Sequence, residues 1–452
     1  MSKESFGILL YWFGWLFIPW VAEFLFAVKD LLYQYIQMRK SESKSAHPLT
    51  EYPNISIVIQ MRSSASSLMA CIDSIEKSLY PDRKIRILII GDQSSRISQD
   101  VFDLASQCYP NLPMQWMDSR QGFNRAMNAA IYNAPGKYIV SLDSNGELHP
   151  LALRCMISEF EKDPSKNCIG GTLVTKPRVI RRSKSSSVKR MQVLEFMQSI
   201  HDSICSPDVI SNRSALYTNT RRILGFRKTA VVANQEAEDL NFYYDNTMHV
   251  QMLAESFERI DLCKDALLYV DPVPGFKELY QKMKSWQAEI QQREWLRMRA
   301  HKPLMTFSGV MFRAILCDEL HAMPKIIWYL SVIALMARAG LGLQIFLALM
   351  GLYLLYVLLE YMRSIQIRLQ IGSLPEVIQY YLSKCYYIFL FPAFALLCSV
   401  LGIAGLLEDG SGFSQTAPKR AGEIIRQDLQ RIRPLKRNHS KDSKTKEAVY
   451  DR

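Results

Sequence analysis

The sequence lacks the cysteine and histidine patterns that hold a metal module together. Its nine cysteines are scattered along the chain, with no C-x-x-C pair and no histidines at zinc-ligand spacing. This argues against a zinc site and favours a reduced compartment such as the cytosol. No nucleic-acid-binding module is recognisable either, so the positive charge of the chain does not indicate a nucleic-acid partner.

A cleavable signal peptide is also missing. Residues 7–28 form the apolar run "GILLYWFGWLFIPWVAEFLFAV", in which Glu23 is the one charged residue. The run is too long for the h-region of a signal peptide, and no small-residue cleavage site follows it. Because about 20 apolar residues cross a bilayer, residues 1–44 are interpreted as a transmembrane anchor and linker.

Charged residues are scarce in two further apolar regions, 326–361 and 380–407. The first region suits two short spans that meet near Arg338, and the second contains Pro392. The few charges within these segments argue against a transporter. Residues 311–407 are therefore interpreted as interfacial and transmembrane helices of a multi-pass cell-membrane protein.

Charge and span count disagree about the C-terminal tail. The net charge is +12, and basic residues flank the apolar regions, so residues 45–310 are placed in the cytosol. The tail, residues 408–452, is predicted to be disordered, and its basic composition also indicates the cytosol. One span before the domain and three after it would instead place the tail outside. The alternative is that one C-terminal segment is interfacial or re-entrant.

Between these apolar regions, strand and helix patterns alternate. The predicted elements are strand 54–60, helix 65–79, strand 84–95, a helix near "QDVFDLASQCY", helix 122–134 and strand "YIVSL". This order predicts an open α/β sheet, whose ligands bind outside the carboxyl ends of the strands. Asp92 and Asp143 each follow a strand, so we expect them to face one crevice.

Four motifs occur in an order that resembles a known family. They are "ISIVIQMRSSASSLMACIDSI", "ILIIGDQSS", "GFNRAMNAAIYNAPGKYIVSLDSNGELHP" and "EAEDLNFY". Together they resemble the GT-A domain of membrane-bound family 2 glycosyltransferases, the processive polysaccharide synthases and their relatives. The resemblance covers roughly residues 50–310 and is closest to synthase-like enzymes of Gram-positive bacteria. It implies an α/β, GT-A (nucleotide-diphospho-sugar transferase) domain with flanking transmembrane helices.

The resemblance implies a nucleotide-binding set. Asp92 corresponds to the second acid of the family's "DDGS" motif, which contacts the uracil and ribose, whereas Gly91 replaces the first acid. Gln60, Arg125 and Asp143 are the other predicted nucleotide-binding residues. The alternative for Asp92 is a turn or helix cap after the strand.

The family's D-x-D motif corresponds to Asp143-Ser144-Asn145. Asp143 and Asn145 are therefore the predicted ligands of Mg²⁺ or Mn²⁺. Asn145 keeps an oxygen atom but lacks the negative charge that hard cations favour, so the metal should be weakly held or lost. Glu147 offers a carboxylate outside the family geometry. The alternative is a plain Asx turn, "DSNG".

The family's "TED" motif corresponds to Ala237, Glu238 and Asp239. This makes Asp239 the predicted catalytic base and Glu238 a residue on the acceptor side. The alternative is an acidic helix start, where carboxylates are favoured.

The family's "QxxRW" motif keeps only its tryptophan, Trp286, which is predicted to contact the acceptor and gate the site. Lys282 and Ser285 occupy the glutamine and arginine positions. A second match, "QQREW", follows at 291–295. A lone tryptophan near a membrane is also typical of an interfacial anchor.

A basic, serine-rich stretch, "RVIRRSKSSSVKR" at 178–190, has no counterpart among these motifs. It is interpreted as a mobile cytosolic loop. The alternatives are a contact with anionic lipid and a partner site.

Two functions follow from the resemblance. The first is an inverting glycosyltransferase that uses a nucleotide-sugar donor and a lipid or polysaccharide acceptor at the membrane, in cell-envelope or exopolysaccharide synthesis. The second is a catalytically impaired homologue that acts as a partner or regulatory subunit of an active membrane synthase. Departures at four points favour the second: the first acid of "DDGS", the metal ligand Asn145, the "QxxRW" motif, and the segment "VISNRSALYTNT" (209–220), whose Asn212-Arg213 are bulkier than the family's residues near the acceptor. The retained carboxylates of Asp92, Asp143 and Asp239 favour the first.

Overall fold

The structure is a computed structural model of the chain. It describes residues 3–41, 51–60, 65–91, 96–118, 123–183, 185–204, 223–237, 260–285, 322–338, 340, 342–370 and 375–405.

Within these residues, an α/β domain is built on one sheet. Its strands are β1 (Ile55–Gln60), β2 (Ile85–Gly91), β3 (Met114–Asp118), β4 (Tyr138–Asp143), β5 (Gly146–Leu148), β6 (Cys168–Thr175), β7 (Ile223–Arg227) and β8 (Ile260–Val270). Their spatial order is β3-β2-β1-β4-β7-β6-β8-β5.

The first half of the sheet is parallel. β1 lies between β2 and β4, and β3 pairs with the outer side of β2. Runs of β-branched residues form these inner strands because both of their faces are buried. The predicted α/β sheet is confirmed here, but the sequence analysis missed β3, a five-residue edge strand.

The second half of the sheet is mixed. β7 is antiparallel to β4 and β6, β6 is parallel to β8, and β5 is antiparallel to β8. A short turn after β4 leads directly into β5. That turn therefore connects the parallel half to the far end of the sheet.

The helices follow in chain order. They are α1 (Lys3–Ser41), α2 (Ala65–Glu76), α3 (Arg96–Cys108), α4 (Phe123–Asn133), α5 (Ala152–Lys162), α6 (Pro177–Arg182), α7 (Ser186–Ile204), α8 (Lys228–Ala237), α9 (276–285), α10 (Ala322–Arg338), α11 (Gly342–Gln370), α12 (Pro375–Ser383) and α13 (Phe391–Gly405). A 3-10 helix, Asp82–Lys84, precedes β2, and another, Cys385–Phe389, links α12 to α13. Helices α2, α3 and α5 cover one face of the sheet, and α4 and α8 cover the other.

The basic stretch at 178–190 folds as α6 and the start of α7 in its described residues, so its interpretation as a loop was wrong. The buried side chain of Ile180 fixes α6 against the domain. Pro177 starts this helix, where its missing N–H leaves no bond unmade. The exposed charges suggested a loop, but the interspersed apolar residues decide the structure.

The apolar helices form a second layer beside the domain. Leu16 of α1, Met336 of α10 and Leu352 of α11 pack into one buried cluster. Among the described residues, one helix, Gly342–Ile367 within α11, has the length and apolar composition to cross a membrane, and Ile326–Arg338 and Phe391–Gly405 are shorter apolar helices.

The apolar region 380–407 does not form one continuous helix. Its described residues form the end of α12, the 3-10 helix and α13, and Pro392 lies in the first turn of α13, where proline is tolerated. In the middle of this segment, the Tyr353 hydroxyl of α11 donates a hydrogen bond to the carbonyl oxygen of Phe389.

Both ends of the segment 375–405 contact the α/β domain. Near its start, the rings of Tyr380 and Phe196 of α7 lie 5.0 Å apart at their centroids. At its end, Gly405 lies so close to α9 that a Cβ atom there would come within 2.9 Å of the Lys284 Cβ. The middle of the segment contacts the domain too, because the ring centroids of Phe391 and His201 of α7 lie 4.7 Å apart. The segment therefore lies against both the domain and α11.

Candidate active site

The carboxyl ends of the parallel strands meet at one edge of the sheet. In the β1–β2 and β1–β4 pairings, Gln60 is the register partner of both Ile90 and Asp143. β2 ends at Gly91, which directly precedes Asp92 in the chain. The predicted nucleotide-binding positions of β1, β2 and β4 therefore converge, although Asp92 itself lies outside the described residues.

Asp143 and Asn145 flank a tight turn after β4. The side chain of Ser144 between them is fully buried, whereas both flanking residues are partly exposed. Gly146 closes the turn beneath Leu268, and a Cβ atom at Gly146 would lie 2.6 Å from the Leu268 Cγ. Only glycine fits this approach of β5 to β8, so the turn is anchored with its Asp and Asn at the sheet edge.

Glu147, the alternative carboxylate, has another partner. Its Oε1 lies 2.7 Å from Lys176 Nζ, which also lies 2.8 Å from Asp271 Oδ1. Burial opposes the charged form of Lys176, but the two carboxylates outweigh it and raise the pKa of the ammonium group. The charge of Glu147 is thus compensated within the protein, which makes Glu147 a poor substitute for a missing metal ligand.

Helix α2 supports the same turn from one side. The Leu148 N–H donates to Ser74 Oγ at 2.9 Å, and the Ser74 hydroxyl donates to the Cys71 carbonyl at 2.6 Å. Burial, with smaller effects of the Asp143 and Glu147 carboxylates, raises the pKa of the Cys71 thiol to about 12. This cysteine therefore stays protonated at neutral pH and serves as packing rather than as a nucleophile or ligand.

Gly91 stands at the position of the first acid of the "DDGS" motif, and an aspartate does not fit there. A Cβ atom at Gly91 would overlap the Trp116 ring of β3, and it would lie 2.9 Å from the Trp116 Cζ2. The Trp116 ring is held from its other side by Phe102 of α3, with centroids 5.6 Å apart. The indole therefore fills the space that an aspartate side chain would need.

The changed "QxxRW" motif has a structural explanation as well. Lys282, in the glutamine position, places its Nζ 2.5 Å from Oε1 of the buried Glu195 in α7. The other oxygen of Glu195 accepts the Val273 N–H at 2.8 Å. Lys282 thus ties α9 to α7, while the exposed Ser285 donates to the Lys282 carbonyl at 3.1 Å.

The sequence analysis missed one carboxylate at the site edge. Asp118 ends β3 and is the register partner of Gly91, which places it beside the start of the Asp92 segment. The sequence "MQWMD" gave little signal for this strand, because it contains no β-branched residue.

The remaining predicted residues divide into two groups. Gln60 ends β1, and Arg125 lies in the first turn of α4. Asp92, Glu238, Asp239 and Trp286 lie outside the described residues, as does the acceptor segment 209–220. Helix α8 reaches Ala237, so Glu236 lies in its last turn rather than at a helix start.

Asp143 and Asn145 supply oxygen ligands, which hard divalent cations prefer, but only Asp143 supplies a negative charge. In the part of the chain that the structure describes, no group of three or more His, Cys, Asp or Glu side chains could hold a metal ion. One carboxylate and one amide form a weak set. An ion at this turn would need further oxygen ligands, such as those of a diphosphate.

The fold belongs to a known class. A solved mannosyltransferase of Pyrobaculum calidifontis, in complex with GDP-Man and Mn²⁺, aligns with a TM-score of 0.51 and 15% identity. The alignment covers 83% of this chain and 99% of that protein. With the sheet order given above, this likeness identifies the α/β domain as a GT-A glycosyltransferase fold.

The sequence comparison agrees with this fold. Residues 56–219 match the family described as "Glycosyl transferase family 2". This confirms the resemblance noted from the four motifs.

The curated relatives include polysaccharide synthases. The poly-beta-1,6-N-acetyl-D-glucosamine synthase of Staphylococcus epidermidis is 23% identical over 257 residues, which is 56% of each chain. The hyaluronan synthase of Pasteurella multocida is 28% identical over 137 residues, 30% of this chain and 14% of the relative. The matched part of the chain thus spans about half the length of the first relative and much less of the second.

Proposed function

We propose that the protein is a membrane-embedded inverting glycosyltransferase. It transfers a sugar from a nucleotide-diphosphate donor to a polysaccharide or lipid-linked acceptor, in cell-envelope or exopolysaccharide synthesis. The observation that carries this proposal is the shared register of Gln60, Ile90 and Asp143 at one sheet edge. The family 2 match and the polymer-synthase relatives support the substrate class.

In this proposal the donor lies across the strand ends. Asp92 holds the base and ribose, and Gln60 and Arg125 contribute to nucleotide binding. Asp143 and Asn145 would hold Mg²⁺ or Mn²⁺, which when bound neutralises the charge of the leaving diphosphate.

The acceptor approaches from the opposite side of the sugar. Asp239 takes the proton of the acceptor hydroxyl as its oxygen bonds to the anomeric carbon and the bond to the diphosphate breaks. Glu238 and Trp286 bind the acceptor and keep it in line.

The membrane topology in this proposal reconciles charge with span count. Helices α1, α10 and α11 cross the membrane, and the segment 375–405 is re-entrant. Its two ends, near Tyr380 and Gly405, both contact the α/β domain, which supports a return to the cytosolic side. Three spans place the domain 45–310 and the basic tail 408–452 together in the cytosol, as the positive charge indicates.

A second candidate function is favoured by a specific observation. Two motif positions at which an active site would need a free functional group are instead used for packing or internal pairing: Gly91 beneath Trp116, and Lys282 with Glu195. Glu147, the alternative carboxylate, is paired with Lys176. A domain with these changes suits a catalytically impaired homologue that binds an active membrane synthase as a regulatory partner.

Sugar transfer by the purified full chain separates the two candidates. The chain in detergent is given labelled UDP-GlcNAc, UDP-glucose or GDP-mannose with Mn²⁺. The enzyme proposal expects labelled product with one donor, which is lost on adding EDTA and in Asp239→Asn. Asp82→Asn, at the opposite edge of the sheet, is the matched control and should retain activity.

The opposite result is equally specific. If no donor gives product while UDP or GDP still binds, the enzyme proposal fails. Co-purification of a second, active membrane glycosyltransferase whose activity depends on this chain would then establish the regulatory partner.

A further inference from the structure

Six cations lie on α6, the start of α7 and the segment 375–405, and three of them lie near aromatic side chains of that segment. We name this surface the basic-aromatic collar. Its cations are Arg178, Arg181, Arg182, Lys189, Arg190 and Lys384, and its aromatic residues are Tyr380, Tyr386, Tyr387 and Phe389.

Direct contacts hold the collar together. The Arg181 guanidinium lies 5.1 Å from the ring centroid of Tyr380, and Lys384 Nζ lies 5.8 Å from that of Tyr386. Both distances allow a cation–π attraction. Arg190 is within electrostatic reach of Tyr387. These contacts keep cations from three elements close to one another.

The positive charge of the collar is not neutralised by the described part of the chain. No ion pair there joins any of its six cations to a carboxylate. Elsewhere on the domain the pattern differs, since Lys137 pairs with Glu161 and Lys166 with Glu159, each at 2.7 Å. Like charges repel unless an anion separates them, so the collar is complementary to an anionic partner.

The collar adjoins exposed apolar side chains. Tyr386 and Phe389 are 62% and 61% exposed, and Leu390 beside them is 48% exposed. The carbonyl of Phe389 accepts the Tyr353 hydroxyl of α11, the helix that is long and apolar enough to cross a membrane. Phe389 thus packs against the helix whose length and composition suit a membrane span.

Helix α7 lies along the same surface. In its middle, the ring of Phe196 lies 5.0 Å from that of Tyr380, and near its end, His201 Nε2 lies 3.0 Å from the Tyr381 hydroxyl. Helix α7 thus contacts the segment 375–405. Exposed aromatic rings beside lysine and arginine are typical of the headgroup level of a membrane.

We propose that the basic-aromatic collar binds the phosphate of an anionic phospholipid headgroup. The cations contact the phosphate, and Tyr386, Phe389 and Leu390 contact the upper acyl chains. The inference rests on the membrane embedding of the proposed function but not on sugar transfer. It assigns a site to the basic stretch 178–190, which the transfer reaction does not use.

The test measures lipid retention by the full chain in detergent. Native mass spectrometry follows binding of phosphatidylglycerol and, separately, of the zwitterionic phosphatidylcholine. The collar variant is Arg181→Gln/Arg190→Gln/Lys384→Gln. The matched control is Arg83→Gln/Lys84→Gln/Arg86→Gln, which removes the same charge from exposed residues at the far edge of the sheet.

The wild type should prefer phosphatidylglycerol. The collar variant should bind it about 100-fold more weakly, because each headgroup-level cation contributes roughly fivefold. The control variant and the charge-preserving Arg181→Lys/Arg190→Lys/Lys384→Arg variant should stay close to wild type. Equal retention of both lipids by the wild type, or an equal loss in collar and control variants, would overturn the proposal.

Two further results separate this inference from its alternatives. Displacement of phosphatidylglycerol by excess inorganic phosphate would show a site for free phosphate and overturn the lipid assignment. Lipid preference without any sugar transfer would overturn the enzyme proposal and leave the collar standing. A chain that stays soluble and monodisperse without detergent would overturn the membrane embedding, and the collar proposal with it.

Discussion

The indole ring of Trp116 occupies the space directly above the α-carbon of Gly91, at the end of the strand that leads to Asp92. A Cβ atom at Gly91 would overlap this ring, so an aspartate does not fit at position 91 while Trp116 keeps its place.

Restoring the acid at this position should damage the fold rather than repair the site. We expect Gly91→Asp to lower the free energy of unfolding by about 1–3 kcal/mol, as overpacking does. Thermal or chemical unfolding of the full chain in detergent measures this loss. The loss caused by Gly91→Asp should be smaller in a Trp116→Ala background, which lacks the indole, than in the wild-type background.

Gly91→Ala is the control for this experiment, since it adds the clashing Cβ atom without a charge. It should also be destabilising. Tighter binding of UDP by Gly91→Asp, with unchanged stability, would contradict the steric explanation.

The metal-site prediction concerns Asn145. We expect Asn145→Asp to strengthen Mn²⁺-dependent nucleotide binding about tenfold, because a carboxylate adds charge where a hard cation prefers it. Calorimetric titration with UDP, with and without Mn²⁺, measures the change. Asp143→Asn should remove the Mn²⁺ dependence.

Glu147→Gln serves as the control because Glu147 is paired with Lys176. Its Mn²⁺ dependence should match the wild type. If this variant loses the dependence and Asn145→Asp shows no gain, Glu147 is the metal ligand instead.

Lys176 should stabilise the turn that carries Asp143 and Asn145. Its side chain is 14% exposed and bridges Glu147 and Asp271. We expect Lys176→Met to lower the free energy of unfolding by about 1 kcal/mol, a modest loss because both carboxylates remain solvated. Lys77→Met, which breaks the exposed pair with Asp73, should have no measurable effect.

The pH dependence of the Lys176 effect follows from its raised pKa. Its contribution is complete below the pKa of an unfolded lysine, about 10.4, and is lost only as the pH rises through the higher folded value. The stability difference between wild type and Lys176→Met should therefore be constant across neutral pH and shrink above about pH 10.5. A difference that shrinks near pH 7 would contradict this assignment.

His201 and Glu360 should couple the domain to α11. Their Nδ1 and Oε2 atoms lie 3.1 Å apart without the alignment of a hydrogen bond, and both side chains are 7% exposed. Arg363 also contacts Glu360, at 2.6 Å. We expect His201→Ala to lower the free energy of unfolding by about 2 kcal/mol. This is less than the loss for a buried carboxylate left with no cation, because Arg363 still contacts Glu360. Chemical unfolding in detergent measures the cost.

A double-mutant cycle isolates the pair from its surroundings. His201→Ala and Glu360→Gln together should cost less than the sum of the single variants. Ser364→Ala is the control, because Ser364 bonds to Tyr361 within its own helix. Strict additivity of His201→Ala and Glu360→Gln would contradict the coupling.

The parallel half of the sheet could be predicted because its strands are rich in β-branched residues and its helices show clear apolar spacing. β3 was missed because its five residues, Met114–Asp118, include no β-branched side chain and form an edge. The sequence analysis named a re-entrant C-terminal segment as an alternative to a span. An apolar composition is the same for a span and a hairpin, so the sequence alone could not choose between them.

The candidate site could also be predicted only in part. Asp143 at a strand end could be predicted from local sequence, since a buried strand followed by an Asx turn is a local pattern. The reasons for the altered motifs could not be predicted, because they depend on distant partners. Gly91 is explained by a strand that was not recognised, and Lys282 by Glu195, which lies 87 positions away in the chain.

The buried cluster beneath α7 has a consequence for how the protein can be divided. Phe196 and Ile200 of the domain share this cluster with Val357 of α11, Tyr381 of α12 and Phe394 of α13. A fragment cut at the end of the α/β domain would expose that surface to water and aggregate. We therefore expect a stable fragment to need the helices up to Gly405 as well as the α/β domain.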